Sequence, residues 1–229
     1  TRDCGADAGI VISASHNPFE HNGIKIFNGN GFKLSDALEE QIEALLDAEA
    51  PMELKRNGEI GHVVHRGQEF VDRYIDYVST KEEAPIRDLK VMIDCANGAA
   101  SRTANQIFSR FPVRLDIIND HPDGVNINDG CGSTHMELLS RMVVAGGFDI
   151  GIAFDGDADR CLIVDENGAE LDGDMIMAVC GDYMRQHGRL RRNTIVATVM
   201  SNLGFHEYAR AHGISVTCTQ VGDRHVLER

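Results

Sequence analysis

The 229-residue sequence has no apolar run near the eighteen or so residues of a membrane-spanning helix. It also has no C-x-x-C pair, no low-complexity segment and few basic residues. The missing apolar run argues against a membrane protein. Lys and Arg number 22 against 36 Asp and Glu, for a net charge of -14. That balance argues against broad nucleic-acid binding, which needs a basic face to release counterions from phosphates. An anionic substrate must therefore meet local positive charge or a metal ion. Cys4, Cys95, Cys131, Cys161, Cys180 and Cys218 are scattered, with no histidine beside them at zinc spacing. They read as reduced, mostly buried thiols of a cytosolic protein. What is present is a globular composition with a real core, 42% hydrophobic and 25% charged. The chain begins at Thr1 rather than Met and ends at Arg229 without a helix stop signal. Both ends lead to the expectation of a fragment, with an upstream targeting segment left open.

The short β-branched run Ile10-Val11-Ile12 predicts a buried strand over 9–14. A loop, a strand over 24–27, a turn at Asn28–Gly31 and a helix over 35–48 should follow. In that helix Leu38, Ile42, Leu45 and Leu46 share one face, expected to pack on a sheet, while the acids from Glu39 to Glu49 face solvent. FVDRYIDYVSTKEEA reads as a second helix running into a charged segment near Glu82–Arg87, the expected domain boundary. Next come the strands LKVMIDC, VRLDII, DIGIAFD and CLIVD. They alternate with a helix near 98–108 and a helix opened by Thr134 and Glu137 in a capping-box pattern. From about Leu171 the series continues with a helix to His187, the strand TIVATVM, a helix from about Gly204 and the strand ISVTC. The alternation predicts an α/β fold of parallel βαβ units, with functional loops at the carboxyl ends of strands.

Two stretches carry chemistry. In AFDGDADR, Asp155, Asp157 and Asp159 alternate, and an extended backbone would point their carboxylates the same way. Each pair near 4 Å repels by roughly 4 kcal/mol at an effective dielectric of about 20. A divalent cation relieves this, and all-oxygen ligands favour Mg²⁺ or Ca²⁺. A solvated Asp-Gly turn is the plainer alternative. An EF-hand fails because Arg160 stands where the sharp turn needs Gly, and the flanks read as strands. In GIVISASHNPFEHNGIKIF, Ser15 ends the first strand beside His16 and Asn17, with Lys25 soon after. No G-x-S-x-G elbow surrounds Ser15. It is either a serine capping a short helix after the strand, with His16 and Asn17 as turn residues, or one that carries a phosphate. His62 and His65 have no third ligand nearby. Asp223 and Arg224 read equally as a loop salt bridge or as cleft lining.

ISASHNP and DGDADR stand in this order and are separated by a βαβ region. Together with DCANGAA, PDGVNINDGCGSTH, TVMSNLG and VGDRHVLE they resemble the α-D-phosphohexomutase superfamily, and within it the bacterial branch acting on glucosamine phosphates. The resemblance spans essentially the whole chain. It implies an α/β fold of βαβ mixed-sheet domains of the phosphohexomutase type, here an incomplete set. Residues 1–85 would be the C-terminal part of domain 1 with the phosphoserine loop, 86–170 domain 2 with the metal-binding loop, and 171–229 the N-terminal part of domain 3. A later sugar-recognition loop and a fourth domain would lie outside the chain.

The same resemblance implies that Ser15 is the active-site phosphoserine and a metal ligand, and that Asp155, Asp157 and Asp159 are Mg²⁺ ligands. Lys25 would act in proton transfer, His16 and Asn17 would neighbour the phosphoserine, and Arg160 would steady the phosphate with its fork of donors. The implied reaction interconverts glucosamine 6-phosphate and glucosamine 1-phosphate through a 1,6-bisphosphate. It would need Mg²⁺ and a hexose 1,6-bisphosphate activator, and would feed UDP-N-acetylglucosamine synthesis in the cytoplasm. The implied partner is a small phosphosugar, with no nucleic acid, no membrane and a homodimer left open. The rivals are a phosphomannomutase or phosphoglucomutase of the same superfamily, and a non-catalytic cation-binding module. One departure is visible, DGDADR where the family usually has DGDGDR, because Ala158 resists positive φ.

Overall fold

A computed structural model describes residues 1–48, 54–80, 86 and 88–229. It divides into two units, Thr1–Ser13 with Asn22–Glu82, and Ala14–His21 with Glu83–Arg229.

In the first unit the β-branched residues of β1 (Ala8–Ser13) pair antiparallel with β2 (Gly23–Asn28), Ala8 opposite Asn28 and Ser13 opposite Gly23. The Asn28 side chain shapes the turn after β2 by accepting from the Asn30 and Phe32 amides at 2.9 and 3.2 Å. Two helices follow, α1 (Asp36–Leu46) and α2 (Gly67–Ser79). The apolar face of α1 is not packed on a sheet as expected. Leu38, Leu45 and Leu46 are exposed and only Ile42 is half-buried. A two-stranded hairpin has too little surface to cover such a face. α2 buries Ile75 and ends at Ser79. The expected boundary near Glu82–Arg87 lies, except for Ile86, outside the described residues.

The second unit is built on a five-stranded sheet of β3 (Leu89–Asp94), β4 (Val113–Ile118), β5 (Ile150–Phe154), β6 (Cys161–Asp165) and β7 (Glu170–Leu171). Their order is β4-β3-β5-β6-β7. β3 runs parallel to β4 and to β5, whereas β6 is antiparallel to both neighbours. Successive side chains of β3 go to opposite faces. Val91, Ile93 and Cys95 meet Ala100 and Ala104 on one side. Met92 joins Met136, Leu139 and Val143 on the other. Ile93, Leu139, Val143 and Val164 are wholly buried, and each contributes about 1.5–3 kcal/mol.

Here the helices depart from the pattern in two places. The expected helix near 98–108 is a 3-10 turn (Ala99–Arg102) and α3 (Ala104–Phe108), because Thr103 leaves helical geometry at φ -123°. The capping box is absent. Thr134 sits in a separate 3-10 turn and α4 (Glu137–Gly146) starts at Glu137, so that side chain is too early to reach back to a Thr134 cap.

The remaining elements are α5 (Gly173–Gln186), β8 (Thr194–Thr198), α6 (Leu203–Ala211), β9 (Ser215–Thr219) and α7 (Asp223–Leu227). β8 and β9 are parallel. Asp172 caps α5 and Asn202 caps α6, each side chain accepting one amide hydrogen bond at 2.9 Å. Asp223 and Arg224 open the short α7, where Arg224 reaches Glu228 at 3.4 Å. The thiols are not mostly buried. Cys4, Cys161, Cys180 and Cys218 are exposed, and only Cys95 and Cys131 lie in the core. Burial, with carboxylates nearby, pushes those two thiols up to about 12 and about 11. No described helix is long and apolar enough to cross a membrane.

Candidate functional site

β3 and β5 end side by side, and residues 155–160 turn β5 back into β6, with Phe154 opposite Cys161. Asp155, Asp157 and Asp159 each place a carboxylate oxygen within 4.8 Å of the others, the three being buried, half-buried and exposed in that order. They converge through a tight turn, not through the extended backbone expected from their alternation. Asp155 Oδ1 accepts from the Arg160 amide at 3.2 Å. Its Oδ2 is buried with no hydrogen-bond donor among the described residues, and Arg160 Nε stands 3.9 Å away. Burial holds the Asp155 carboxyl above its ordinary range. The Asp157 and Asp159 charges push the same way against the Arg160 amide. A buried carboxylate oxygen lacking a donor beside two more carboxylates fits a hard divalent cation. The triad could hold one.

The segment Ala14–His21 packs in this same unit. The Ser15 carbonyl accepts from the Gly156 amide at 3.1 Å and from Asn128 Nδ2 at 2.8 Å. Ser15 itself has φ of 51°, a left-handed conformation that needs surrounding support. Its Oγ lies 3.5 Å from His16 Nδ1, and the Asn17 amide closes the turn on Ala14 at 2.9 Å. Ser15, His16, Asn17, the three aspartates and Arg160 are thus placed within one unit. Lys25 belongs to the other, on β2 opposite Val11, where it lines a pocket with Lys33, Glu39 and Glu43.

Three sequence profiles match consecutive parts of the chain. They describe alpha/beta/alpha domains I, II and III of phosphoglucomutase/phosphomannomutase, at residues 1–53, 72–168 and 172–229. The chain belongs to the phosphoglucomutase/phosphomannomutase family. One family relative, a phosphoglucosamine mutase of Acetivibrio thermocellus, is 51% identical over 229 residues, covering 100% of this chain and 51% of its own length. The chain therefore spans about half the length of the curated relatives it matches. Two solved structures share the fold. A family protein from Burkholderia thailandensis has a TM-score of 0.77 at 23% identity, covering 96% of this chain and 46% of that one. The Aspergillus fumigatus N-acetylphosphoglucosamine mutase, in complex with GlcNAc-6P and magnesium, has 0.64 at 19%, covering 99% and 58%.

In this family member Ala158 takes φ of 58° in the aspartate turn, the conformation it was expected to resist. A left-handed alanine costs roughly 1–2 kcal/mol. The exposed methyl loses little if removed, and the added freedom of an unfolded glycine offsets part of the relief. Ala158→Gly is expected to stabilise the protein by about 0.5–1 kcal/mol in urea unfolding. A loss of stability would show that the methyl is packed.

Two residues went unrecognised in the sequence. Asp94 is fully buried and accepts from the Ala96 and Gly132 amides, both at 2.9 Å. Its signal was a carboxylate ending an otherwise apolar strand. Asn128, inside PDGVNINDGCGSTH, carried no local signal for its contact with Ser15.

Proposed function

We propose that the protein is a phosphosugar mutase that interconverts glucosamine 6-phosphate and glucosamine 1-phosphate. The observation that carries this reading is the hydrogen bond from Gly156, inside the aspartate turn, to the carbonyl of Ser15. It seats an otherwise unremarkable serine against a cluster of three carboxylates. The 51% identity to a protein named phosphoglucosamine mutase supports glucosamine as the sugar. Asp155, Asp157 and Asp159, with a phosphate oxygen on Ser15, would hold Mg²⁺. When bound, the ion would neutralise charge on the phosphoryl group during transfer.

The chain's own part is covalent. A hydroxyl oxygen of the sugar monophosphate bonds to the phosphorus on Ser15 as the Ser15 Oγ–P bond breaks, Oγ taking up a proton to become the serine hydroxyl while the sugar hydroxyl proton leaves to a base. Lys25 takes that role on the resemblance. The bisphosphate then turns over, and Oγ bonds to the phosphorus of its other phosphate, giving up its proton as the sugar O–P bond breaks and the sugar oxygen is protonated. Arg160, tied to the turn through Asp155, offers its guanidinium to the phosphate, while His16 and Asn17 shape the loop around Ser15. A hexose 1,6-bisphosphate would load unphosphorylated Ser15, and the setting would be the cytoplasm.

The test is peptide mass mapping of the full-length protein after incubation with glucose 1,6-bisphosphate and Mg²⁺. Ser15 is expected to carry phosphate and to lose it to added glucosamine 6-phosphate. A Ser15 that stays unmodified in both conditions favours a non-catalytic cation-binding module. Phosphate lost to mannose or glucose 6-phosphate much faster than to glucosamine 6-phosphate moves the sugar assignment within the family.

A further inference from the structure

We propose that Asn128 is a positioning residue that clamps the Ser15 loop to the turn after β3, beside the turn carrying the three aspartates. The function of this clamp rests on the phosphoserine reading above. Asn128 is 7% exposed and sits at φ of 58°, where Asn is tolerated far better than most residues. Its backbone is anchored independently of its side chain. The Asn128 amide donates to the Ala96 carbonyl at 3.0 Å, and the Ala96 amide is held by buried Asp94 at 2.9 Å. The side chain therefore projects from a point fixed to the end of β3.

From there Nδ2 donates to two carbonyls of the serine loop, Ser15 and Asn17, both at 2.8 Å. Two carbonyl acceptors determine which end of the amide faces them, because only the NH₂ group donates. Oδ1 is left buried without a donor among the described residues, so the orientation is dictated by the serine loop and not by a better-satisfied alternative. The second bond to the Ser15 carbonyl comes from the Gly156 amide at 3.1 Å, and the Gly156 carbonyl accepts from Ala99 at 2.8 Å. Serine loop, aspartate turn and the turn after β3 thus meet at one junction. It is tight: a Cβ on Gly156 would lie 2.5 Å from the Ser15 carbonyl oxygen and 2.8 Å from Asn128 Nδ2. A serine at positive φ holds that conformation only where its surroundings impose it. Both bonds that fix its carbonyl come from residues far away in sequence. A displacement of about 1 Å in a reacting group can cost about 10²-fold in rate, which sets the size of the effect.

Two variants of the full-length protein separate the clamp from general stability. Asn128→Asp keeps shape and tolerance of positive φ but replaces both donors with an acceptor. Asn128→Gly keeps the backbone conformation and adds no charge. In both, peptides covering 14–21 are expected to exchange amide hydrogens faster in metal-free protein, while peptides covering 89–94 and 150–154 exchange as in the wild type. Turnover should fall about 10- to 100-fold in kcat, with KM for the sugar monophosphate within about twofold. Unchanged exchange over 14–21 in both variants overturns the clamp, as does faster exchange spread across the sheet peptides. Faster local exchange with wild-type kcat overturns its role in positioning. If wild-type Ser15 never carries phosphate, the phosphoserine reading falls, and the exchange data still decide whether the clamp exists.

Discussion

Ser15→Ala in the full-length protein is expected to lower mutase turnover by at least about 10³-fold, since removing a covalent carrier removes the route and not one contact among several. The fold should survive. The bonds from Gly156 and Asn128 go to the Ser15 carbonyl, which alanine retains. The hydroxyl contact with His16 is long at 3.5 Å, and alanine is no worse than serine at positive φ. Stability within about 1 kcal/mol of the wild type is the expected result of urea unfolding. Activity and the phosphate state of the 14–21 peptide are measured on the same preparation. A variant that turns over at the wild-type rate would end the phosphoenzyme mechanism, whatever its structure.

Asp155→Asn is expected to move activity and metal-free stability in opposite directions. Asn can keep the bond from the Arg160 amide through its own oxygen, and its NH₂ replaces a buried anionic oxygen that has no donor among the described residues. Relieving that group should stabilise the metal-free protein by about 1–2 kcal/mol, while losing one carboxylate of the triad should slow phosphoryl transfer about 10²-fold or more. The sign with pH follows from the direction of the shift. Burial raises the folded-state value of Asp155 above that of the unfolded chain. Folding therefore favours the protonated form, and metal-free stability falls as pH rises from the ordinary carboxylate value through the raised one. Added Mg²⁺ should raise the thermal midpoint at neutral pH in the wild type, and the gain should shrink as acid protonates Asp155. The variant should show higher metal-free stability and a much smaller Mg²⁺ response. A less stable metal-free variant would mean that Asp155 is a structural anchor and not a strained ligand.

Periodicity in the sequence was a good guide wherever burial is governed by neighbours along the chain. VRLDII and CLIVD form strands over the expected residues, because β-branched and apolar side chains at these spacings suit both faces of a covered sheet. The pattern was a poorer guide to direction and partnership. β6, which follows β5 with no helix between, returns antiparallel after a short turn, so the sheet is mixed as the resemblance implied, while the strand pattern alone did not give that direction. The face of α1 reads as buried yet is open, because amphipathicity says which side seeks cover and not whether cover exists. Thr134 and Glu137 have the spacing of a capping box, but the helix begins at Glu137, since the chain before it is occupied by a 3-10 turn.

Taken by itself, the sequence determined the chemistry available: a serine at a strand end, three closely spaced carboxylates of hard-metal character, and a deficit of positive charge that leaves an anionic substrate dependent on local compensation. These are properties of residue types and short spacings, and they survive translation into structure. Only the tertiary structure decided how the groups meet. The aspartates converge because a hairpin turn curls them together, with Ala158 left-handed. Ser15 is seated by Gly156 and by Asn128, which lies 113 residues away. Asp94 and Asn128 act through backbone groups that every residue possesses, so no sequence motif marks their targets. Such bonds are assigned when β3 and β5 bring their carboxyl ends together, and the geometry of the whole sheet selects them.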